Sequence, residues 1–445
     1  AFASHLIIDD EGLIDLRYNG KGGGVSSRPL LWKGYEGMRK LLLTNIGMLA
    51  TPQGRTAKKG PEQGAIQMLK NAWVLVEDGV IAQVGTGAAP EVEDAKVVDA
   101  EGNLVTPGLV DAHTHLIFGG WRQNELGMKL HGKTYLEIQN AGGGIQSTTN
   151  ATRRATAEEL TNKAAKALDE MMGFGVTTCE AKSGYGLATE HELKALQVIK
   201  DLNDRHPMDI VATFMGAHLV PAEYKQNREE YIRLVCEEMM PAVKEQGIAK
   251  FCDVFCEADT FTVEESRQVL EAGLKYGLRP KIHADEIEAI GGSQLAGEIG
   301  AISAEHLIVC PPEGIASMAK GGVIACLLPA TSFNLGAVFA PARDMIRAGV
   351  PVAMATDFNP GSCPCLNLQF VINLGCLKYK LTPEEVLTAV TLNGAAAIDM
   401  ADKVGSVEVG KQGDLVIWDA PDLDYICYRV GSNLAKTVIK RGELV

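Results

Sequence analysis

Short apolar runs alternate with segments in which apolar residues recur every three to four positions through the middle of the chain. The short runs are typical of buried strands, and the three-to-four spacing is typical of helices packed on a sheet. The predicted strands are 109–113, 176–179, 210–215, 251–255, 280–284, 302–306, 323–328 and 351–356. The predicted helices are 158–172, 190–204, 229–245, 263–276 and 342–348. This alternation predicts an α/β fold, a (β/α)8 TIM-like barrel over residues 106–403, with a doubly wound sheet as the alternative.

The sequence pattern differs on both sides of this region, where short β-branched or alternating segments are separated by Gly and Asp. These segments predict strands, which are 40–45, 72–77, 80–84, 96–99, 405–408, 414–419 and 436–439. They indicate one small β-sandwich domain built from both chain ends, residues 38–105 plus 404–445. Residues 1–37 carry no clear period and precede Met38. We expect them to be a non-native or disordered extension that takes no part in the fold.

Composition narrows the class of protein. The chain has 445 residues, 46% hydrophobic and 22% charged, with a net charge of −14. These values exclude a disordered chain and argue against a nucleic-acid binder. The ten cysteines have no recurring spacing, and the pair Cys363 and Cys365 flanks a proline, so we expect reduced thiols in a cytoplasmic protein. The uncharged stretch 321–342 contains two prolines and predicts a strand followed by a loop rather than a membrane span.

Histidines gather where the predicted strands end. The segment GLVDAHTH at 108–115 has two of them two residues apart, and alternate strand residues face the same side, so both rings can reach one ion. The candidates at or just beyond strand ends are His113, His115, His218, His283, His306 and Asp357. In a barrel these ends form the face that carries the chemistry. Three imidazoles and a carboxylate predict a zinc or ferrous iron site with an open position for water.

Hydrolysis at such a site also needs a base. Glu286 lies three residues after His283, in the loop predicted beyond the fifth strand. It is the predicted acceptor of the water's proton and donor to a leaving nitrogen. Asp285 is the competing candidate, and a solvated acidic loop without a catalytic role is the remaining alternative.

Six further motifs follow one another along the chain: GKTYLEI at 132–138, AGGGI at 141–145, KSGYGL at 182–187, GAH at 216–218, HADE at 283–286 and DFNPGS at 357–362. Together with TPGLVDAHTH at 106–115, they resemble the amidohydrolase superfamily from about Met38 to the C-terminus. The resemblance implies hydrolysis of a cyclic amide, 4-imidazolone-5-propanoate, to N-formimino-L-glutamate. A nucleobase deaminase or a cyclic-imide hydrolase of the same superfamily is the enzymatic alternative. A barrel that has lost catalysis is the non-enzymatic one.

The resemblance also implies roles for individual residues. One metal ion, zinc or iron (Fe2+ or Fe3+), is expected on His113, His115, His283 and Asp357. The expected catalytic residues are Glu286 as base and proton shuttle, His306 as the group that polarises the attacked carbonyl, and Asp357 as a second proton donor. The expected substrate contacts are Arg122, Tyr135, Tyr185, His218, Asn359, Gly361 and Ser362.

Further expectations concern charge and assembly. A small anionic substrate in an acidic protein needs a local cation, and the planar fork of Arg122 suits a carboxylate. Lys182 is expected to be a loop residue that positions the site without being carboxylated. The resemblance implies a homodimer, with neither a nucleic acid nor a membrane as partner.

Overall fold

The computed structural model describes residues 7–8, 14–15, 39–133, 137–138 and 142–445. The chain divides into two compact units, 1–36 and 37–445. The described part of the first unit is an antiparallel pair of short strands, Ile7–Ile8 and Ile14–Asp15. The expectation of a non-native or disordered segment at 1–37 falls largely outside the described residues and stays a prediction.

A parallel eight-stranded barrel forms the centre of the second unit. Its strands, in spatial as in chain order, are Leu109–Asp111, Val176–Lys182, Asp209–Ala217, Phe251–Cys256, Arg279–Ala284, Ser303–His306, Ile324–Leu327 and Val352–Met354. Beyond the first and last strands, Thr114 and Phe358 form a parallel bridge that nearly closes the sheet. The eight predicted strands and the barrel are therefore confirmed. Strands buried on both faces are nearly continuous apolar runs, which made them visible in the sequence.

Helices connect the strands and surround the barrel. The helices among the described residues are Glu125–Leu130, Gly144–Arg154, Ala157–Gly173, Thr189–Arg205, Arg228–Leu234, Met240–Gln246, Val263–Lys275, Gly292–Ile299, Pro312–Gly321, Pro329–Leu335, Ala342–Arg347, Leu368–Leu377, Pro383–Ala389, Leu392–Ala397 and Leu423–Tyr428. A π-helical turn, Val235–Met239, joins Arg228–Leu234 to Met240–Gln246, and two 3-10 turns are Gly60–Gly64 and Ala222–Tyr224.

One predicted loop is wrong. After the strand Ile324–Leu327 the chain forms the helix Pro329–Leu335, with proline at its first position, where a missing N–H costs nothing. Among the described residues, no helix is both long enough and apolar enough to cross a membrane.

A second sheet joins the two ends of the 37–445 unit. Its strands are Lys40–Thr51, Gln67–Glu77, Val80–Thr86, Ala95–Asp99, Leu104–Pro107, Leu415–Trp418, Ala435–Lys440 and Glu443–Leu444. Lys40–Thr51 pairs along one edge with Gln67–Glu77 and along the other with both Ala95–Asp99 and Leu104–Pro107, which gives the sheet a sandwich-like form.

The predicted strand at 405–408 is wrong. Val407 is buried against this sheet, but its N–H donates to Oγ1 of Thr51 instead of joining a strand ladder. The strand Leu104–Pro107 spans the predicted boundary between 105 and 106. Because 37–445 forms one compact unit, the division into 38–105 plus 404–445 and 106–403 stays a prediction.

Candidate metal centre and active site

Three histidines and an aspartate converge at the carboxyl end of the barrel. His113 and His115 follow the first strand, His283 lies in the fifth, and Asp357 follows the eighth. Oδ1 of Asp357 lies 3.4 Å from Nε2 of His113 and 3.6 Å from Nε2 of His115. Nε2 of His283 lies 3.3 Å from Nε2 of His115. All four side chains are buried. Their ligand atoms fall into two groups that share His113: His113, His115 and Asp357 form one, and His113, His283 and His306 form the other.

The spacing of these atoms fits a single metal ion. Zinc–nitrogen bonds of about 2.0–2.1 Å place tetrahedral ligand atoms about 3.4 Å apart, close to the three distances observed. Nε2 of His113 and Oδ1 of Asp357 are buried and take part in no hydrogen bond. Buried polar atoms are ordinarily paired, so these two atoms are suited to a cation. His306 also lies close, because it offers a ligand atom within 4.8 Å of those of His113 and His283.

The protonation states suit metal binding. Burial lowers the pKa of His113, His115 and His306 well below the usual value, and nearby positive groups, Lys182 among them, lower it further. Burial raises the pKa of Asp357 to about 6. The imidazoles of His113, His115 and His306 are therefore neutral, which is the form that binds metals.

A network of buried charges lies beside the predicted metal ligands. Its members are Glu180, Lys182, Asp253, Lys281 and Glu305. Nζ of Lys182 lies 2.8 Å from carboxylate oxygens of both Glu180 and Asp253. Nζ of Lys281 lies 3.0 Å from Glu180 and 3.4 Å from Glu305. TIM barrels usually fill this interior with branched apolar side chains, so the network is unusual.

The network also corrects an expectation. Lys182 is the last residue of the strand Val176–Lys182, with its side chain inside the barrel, and it is not a loop residue. Burial alone would lower the pKa of Lys182, but the carboxylates of Asp253 and Glu180 outweigh burial and raise it. The amine stays protonated, and an ammonium group has no lone pair with which to form a carbamate.

Sequence analysis did not single out Asp253 or Glu305. Oδ1 of Asp253 lies 3.0 Å from Nδ1 of His283, and Oε2 of Glu305 lies 2.8 Å from Nδ1 of His113. A signal was present in the sequence, because charged residues stand inside otherwise apolar strand runs. Lys281 and His283, for example, occupy alternate positions and so face the same side.

Glu286 and His306 face each other at the edge of this centre. Oε2 of Glu286 lies 3.7 Å from Nε2 of His306. Burial raises the pKa of Glu286 to about 8, and the charge of Asp357 adds to the effect. Asp285, the competing base, is fully buried, lies near Ser293, and has a raised pKa because of that burial. The geometry therefore favours Glu286 over Asp285 as the base.

Three of these residues have left-handed backbones, and Asp285 is one of them, with a φ of 51°. The φ of His306 is 67° and that of Asp357 is 56°. Left-handed conformations cost most residues other than glycine about 1–2 kcal/mol, and Asn and Asp tolerate them occasionally. Such strain is found at functional sites, where the surrounding structure holds it in place.

Arg122 is buried beside the loop after the eighth strand. Its Nε and one terminal nitrogen donate to the carboxylate of Glu125, at 2.9 and 3.0 Å. Its other terminal nitrogen lies so close to Gly361 that a Cβ there would approach it to 2.1 Å. Only glycine at position 361 permits this approach. Glu125 also accepts a hydrogen bond from the backbone N–H of Gly144, so this residue, which the sequence reading missed, connects Arg122 to the AGGGI segment.

Two other predicted substrate contacts lie beside the metal ligands. The ring of His218 stacks on that of His115 at 4.9 Å, and the ring of Tyr185 lies 5.1 Å from that of His218. Nδ1 of His218 lies 2.9 Å from the carbonyl oxygen of Gly184. Burial lowers the pKa of His218 to about 3, so Nδ1 donates and Nε2 is left to accept. Tyr135 lies outside the described residues.

Asn359 holds its own loop together. Its Oδ1 accepts hydrogen bonds from the backbone N–H groups of Gly361, Ser362 and Cys363. Its Nδ2 donates to the carbonyl oxygen of Asp357 and to Oγ of Ser362. The structure therefore shows Asn359, Gly361 and Ser362 bound to one another. Cys363 is buried, with its Sγ 3.2 Å from the carbonyl oxygen of Thr356.

Replacing Asn359 with Ala is expected to lower the free energy of unfolding by about 2–4 kcal/mol, because three backbone N–H groups lose their acceptor. Activity should fall as well, since the same loop holds Asp357. Chemical denaturation measures the first effect and steady-state kinetics the second. The control is Asn334→Ala, which removes one exposed hydrogen bond to the carbonyl oxygen of Ser362. Unchanged stability with only a raised KM would assign Asn359 to substrate contact instead.

Comparisons with known proteins agree with this geometry. Residues 104–445 match the model of the Amidohydrolase family. An imidazolonepropionase of Alkaliphilus metalliredigens is 52% identical over 414 residues, which cover 92% of this chain and 98% of that protein.

Solved structures share the fold at low sequence identity. The guanine deaminase of C. acetobutylicum, crystallised with guanine, has a TM-score of 0.67 at 17% identity and covers 92% of this chain and 100% of its own. The atrazine chlorohydrolase of Arthrobacter aurescens TC1, crystallised with zinc, has a TM-score of 0.65 at 17% identity, with 91% and 94% coverage.

Proposed function

The chain belongs to the amidohydrolase family, and from this premise we infer that it catalyses the imidazolonepropionase reaction, the hydrolysis of 4-imidazolone-5-propanoate to N-formimino-L-glutamate. The observation that carries this conclusion is the 52% identity to an imidazolonepropionase over 98% of that protein's length. The site supports it, because the donors of a metal centre, a base and an arginine lie at one end of the barrel. The chain is thus a hydrolase that acts on a small molecule.

A divalent metal ion is the cofactor, and we propose that His113, His115, His283 and Asp357 hold it as either zinc or iron. Support comes from donor spacings of 3.3–3.6 Å and from the neutral imidazoles of His113 and His115. When bound, such an ion acidifies a water molecule and polarises a carbonyl group.

The side chains around that ion manage protons and orientation. Glu286 accepts a proton from the attacking water and returns it to the leaving ring nitrogen, for which Asp357 is a second candidate donor. A pKa of about 8 lets the carboxyl group of Glu286 exchange a proton near neutral pH. His306, which faces Glu286, polarises the attacked carbonyl and stabilises the negative charge that develops on its oxygen.

Arg122 binds the propionate of the substrate in this proposal, and Tyr185, His218 and Tyr135 surround the ring. Arg122 is already held by Glu125 along one edge of its fork. That contact fixes the plane of the guanidinium, so little further entropy is lost when a carboxylate binds. Asn359, Gly361 and Ser362 contribute by forming the loop against which Arg122 lies.

Replacing Arg122 with Ala should raise KM by about 10- to 100-fold and change kcat less, because a charged hydrogen bond made equally to substrate and transition state is lost. Steady-state kinetics separates the two constants. Arg228→Ala is the matched control, since Arg228 makes a similar paired contact with Glu265. A drop in kcat at constant KM would contradict the assignment of Arg122 to substrate binding.

The reaction itself can be followed by ultraviolet absorbance. Imidazolone propionate, made in situ by urocanase, should lose its absorbance faster when the protein is added, and a metal chelator should stop this. Guanine serves as the comparison substrate, because a nucleobase deaminase would release ammonia from it. Decay no faster than the spontaneous background would overturn the inferred reaction.

The proposal extends to the oligomeric state and the cellular location of the protein. We propose a homodimer and a cytoplasmic location, on the strength of the family resemblance and the unpaired, mostly buried cysteines. Light scattering of the purified protein tests the first, and fractionation of the native cells tests the second.

A further inference from the structure

We propose that Asp253 and Glu305 position two metal ligands, His283 and His113, and thereby set the affinity of the centre for a divalent cation. The inference rests on the metal site proposed above and goes beyond it, because neither carboxylate touches substrate or metal. Both are positioning residues.

Each of the two carboxylates fixes the tautomer of the histidine that it contacts. A neutral imidazole carries one N–H, and the group that accepts its hydrogen bond decides which nitrogen is protonated. Nδ1 of His283 lies 3.0 Å from Asp253, and Nδ1 of His113 lies 2.8 Å from Glu305. Both Nδ1 atoms are therefore the protonated ones. The Nε2 atoms are left free to bind an ion: that of His113 lies 3.4 Å from Oδ1 of Asp357, and that of His283 lies 3.3 Å from Nε2 of His115.

The carboxylates also contribute to the net negative charge of the buried network. Lys182 neutralises Asp253, and Lys281 neutralises Glu305, while Glu180 contacts both lysines. Two ammonium groups and three carboxylates leave the network one negative charge. With Asp357 the buried set has a formal charge of −2, which a divalent cation balances. Loss of either carboxylate charge would weaken the attraction for the ion.

Burial of the network removes its charged groups from water, which is unfavourable in free energy. Burying five charged side chains is expensive, and replacing buried ion pairs with apolar residues of similar volume is often neutral or stabilising. All five side chains are fully buried, in a barrel interior that branched apolar residues could fill. A role at the metal centre accounts for a network that fold stability does not require.

The experiment compares the zinc affinity of the full chain with that of Asp253→Asn and Glu305→Gln. A chromophoric chelator competes for zinc and reports the Kd without any measurement of activity. Each variant is expected to bind zinc about 10- to 100-fold more weakly. Asp414→Asn is the control, because Asp414 pairs with the buried Lys440 at 2.6 Å outside the site. It should lower the Tm and leave the zinc Kd unchanged.

The outcomes are distinguishable. Zinc Kd values within about twofold of the parent in both variants, with a lowered Tm as in the control, would overturn the proposal. Unchanged zinc binding by His283→Asn would instead overturn the proposed metal site. A measurement on the parent protein tests the proposal even if the variants do not fold. Nitrogen-15 NMR of labelled histidine should show slowly exchanging Nδ1 protons on His113 and His283, in addition to the one on the buried ring of His218. Their absence from His113 and His283 would also overturn the proposal.

Discussion

Replacing Glu286 with Gln is expected to lower kcat by about 10²- to 10⁴-fold while the metal content stays unchanged. The amide cannot accept the proton of the attacking water, and general acid–base catalysis contributes a factor of this size. Glu286 lies beside His306 rather than among the four proposed ligands, so the metal should remain. Steady-state kinetics and metal analysis of the same preparation check both parts.

The pH profile gives the same residue a second test. Burial raises the pKa of Glu286 to about 8, so the ionised base is lost as the pH falls. The rate should therefore decline toward acid in the parent, and Glu286→Gln should lack this decline. Glu288→Gln, an exposed neighbour in the same segment, is the control and should behave as the parent. Near-normal turnover in metal-replete Glu286→Gln would remove the base assignment.

Removing the metal is expected to reduce activity to the spontaneous background. Nε2 of His113 and Oδ1 of Asp357 then have no partner, and both groups of close ligand atoms found among the described residues contain His113. Activity should return with one equivalent of a divalent ion, because both groups of close ligand atoms contain His113 and so cannot each hold a separate ion through it. Titration of the chelated protein with zinc, and separately with ferrous iron, measures both the stoichiometry and the preferred ion.

A matched pair of histidine variants makes this test specific. His283→Asn removes a proposed ligand and should abolish both tight metal binding and activity. His131→Asn changes an exposed histidine whose Nδ1 contacts the carbonyl oxygen of Gly127, and it should change neither. Full activity of the chelated parent, or recovery only with two equivalents, would contradict a one-metal centre.

Local pattern predicted the barrel well and two segments badly. Its strands are buried on both faces, so each leaves a short apolar run whatever its neighbours are. The segment 405–408 also has a short apolar pattern, yet the backbone N–H of Val407 donates to Oγ1 of Thr51 instead of joining a strand ladder. The prolines in 321–342 were interpreted as loop signals, whereas Pro329 begins a helix. For 405–408 the contact that decided the structure lies outside the local pattern.

Some residues of the candidate site were predictable from the sequence, and others were not. Histidines at strand ends and the glutamate after His283 were predictable, because a barrel brings all strand ends to one face. Their supporting carboxylates were not predicted. His283 and Asp253 are 30 residues apart, and His113 and Glu305 are 192 apart. Spacing along the chain does not show which carboxylate reaches which ring. The pairing of Arg122 with Glu125 lies within one turn of chain, but only the folded loop shows that Gly361 lies against it.

By itself, then, the sequence determined the order of strands and helices, the face of the barrel that carries chemistry, and the ligand types available there. These follow from periodicity and from the direction of parallel strands, which are local properties. Tertiary structure alone decided that Lys182 points into the barrel, that Asp285 is buried near Ser293, and that two carboxylates paired with lysines contact His283 and His113. Those outcomes depend on the burial of charge, and a buried charge persists only where distant parts of the chain supply its partner.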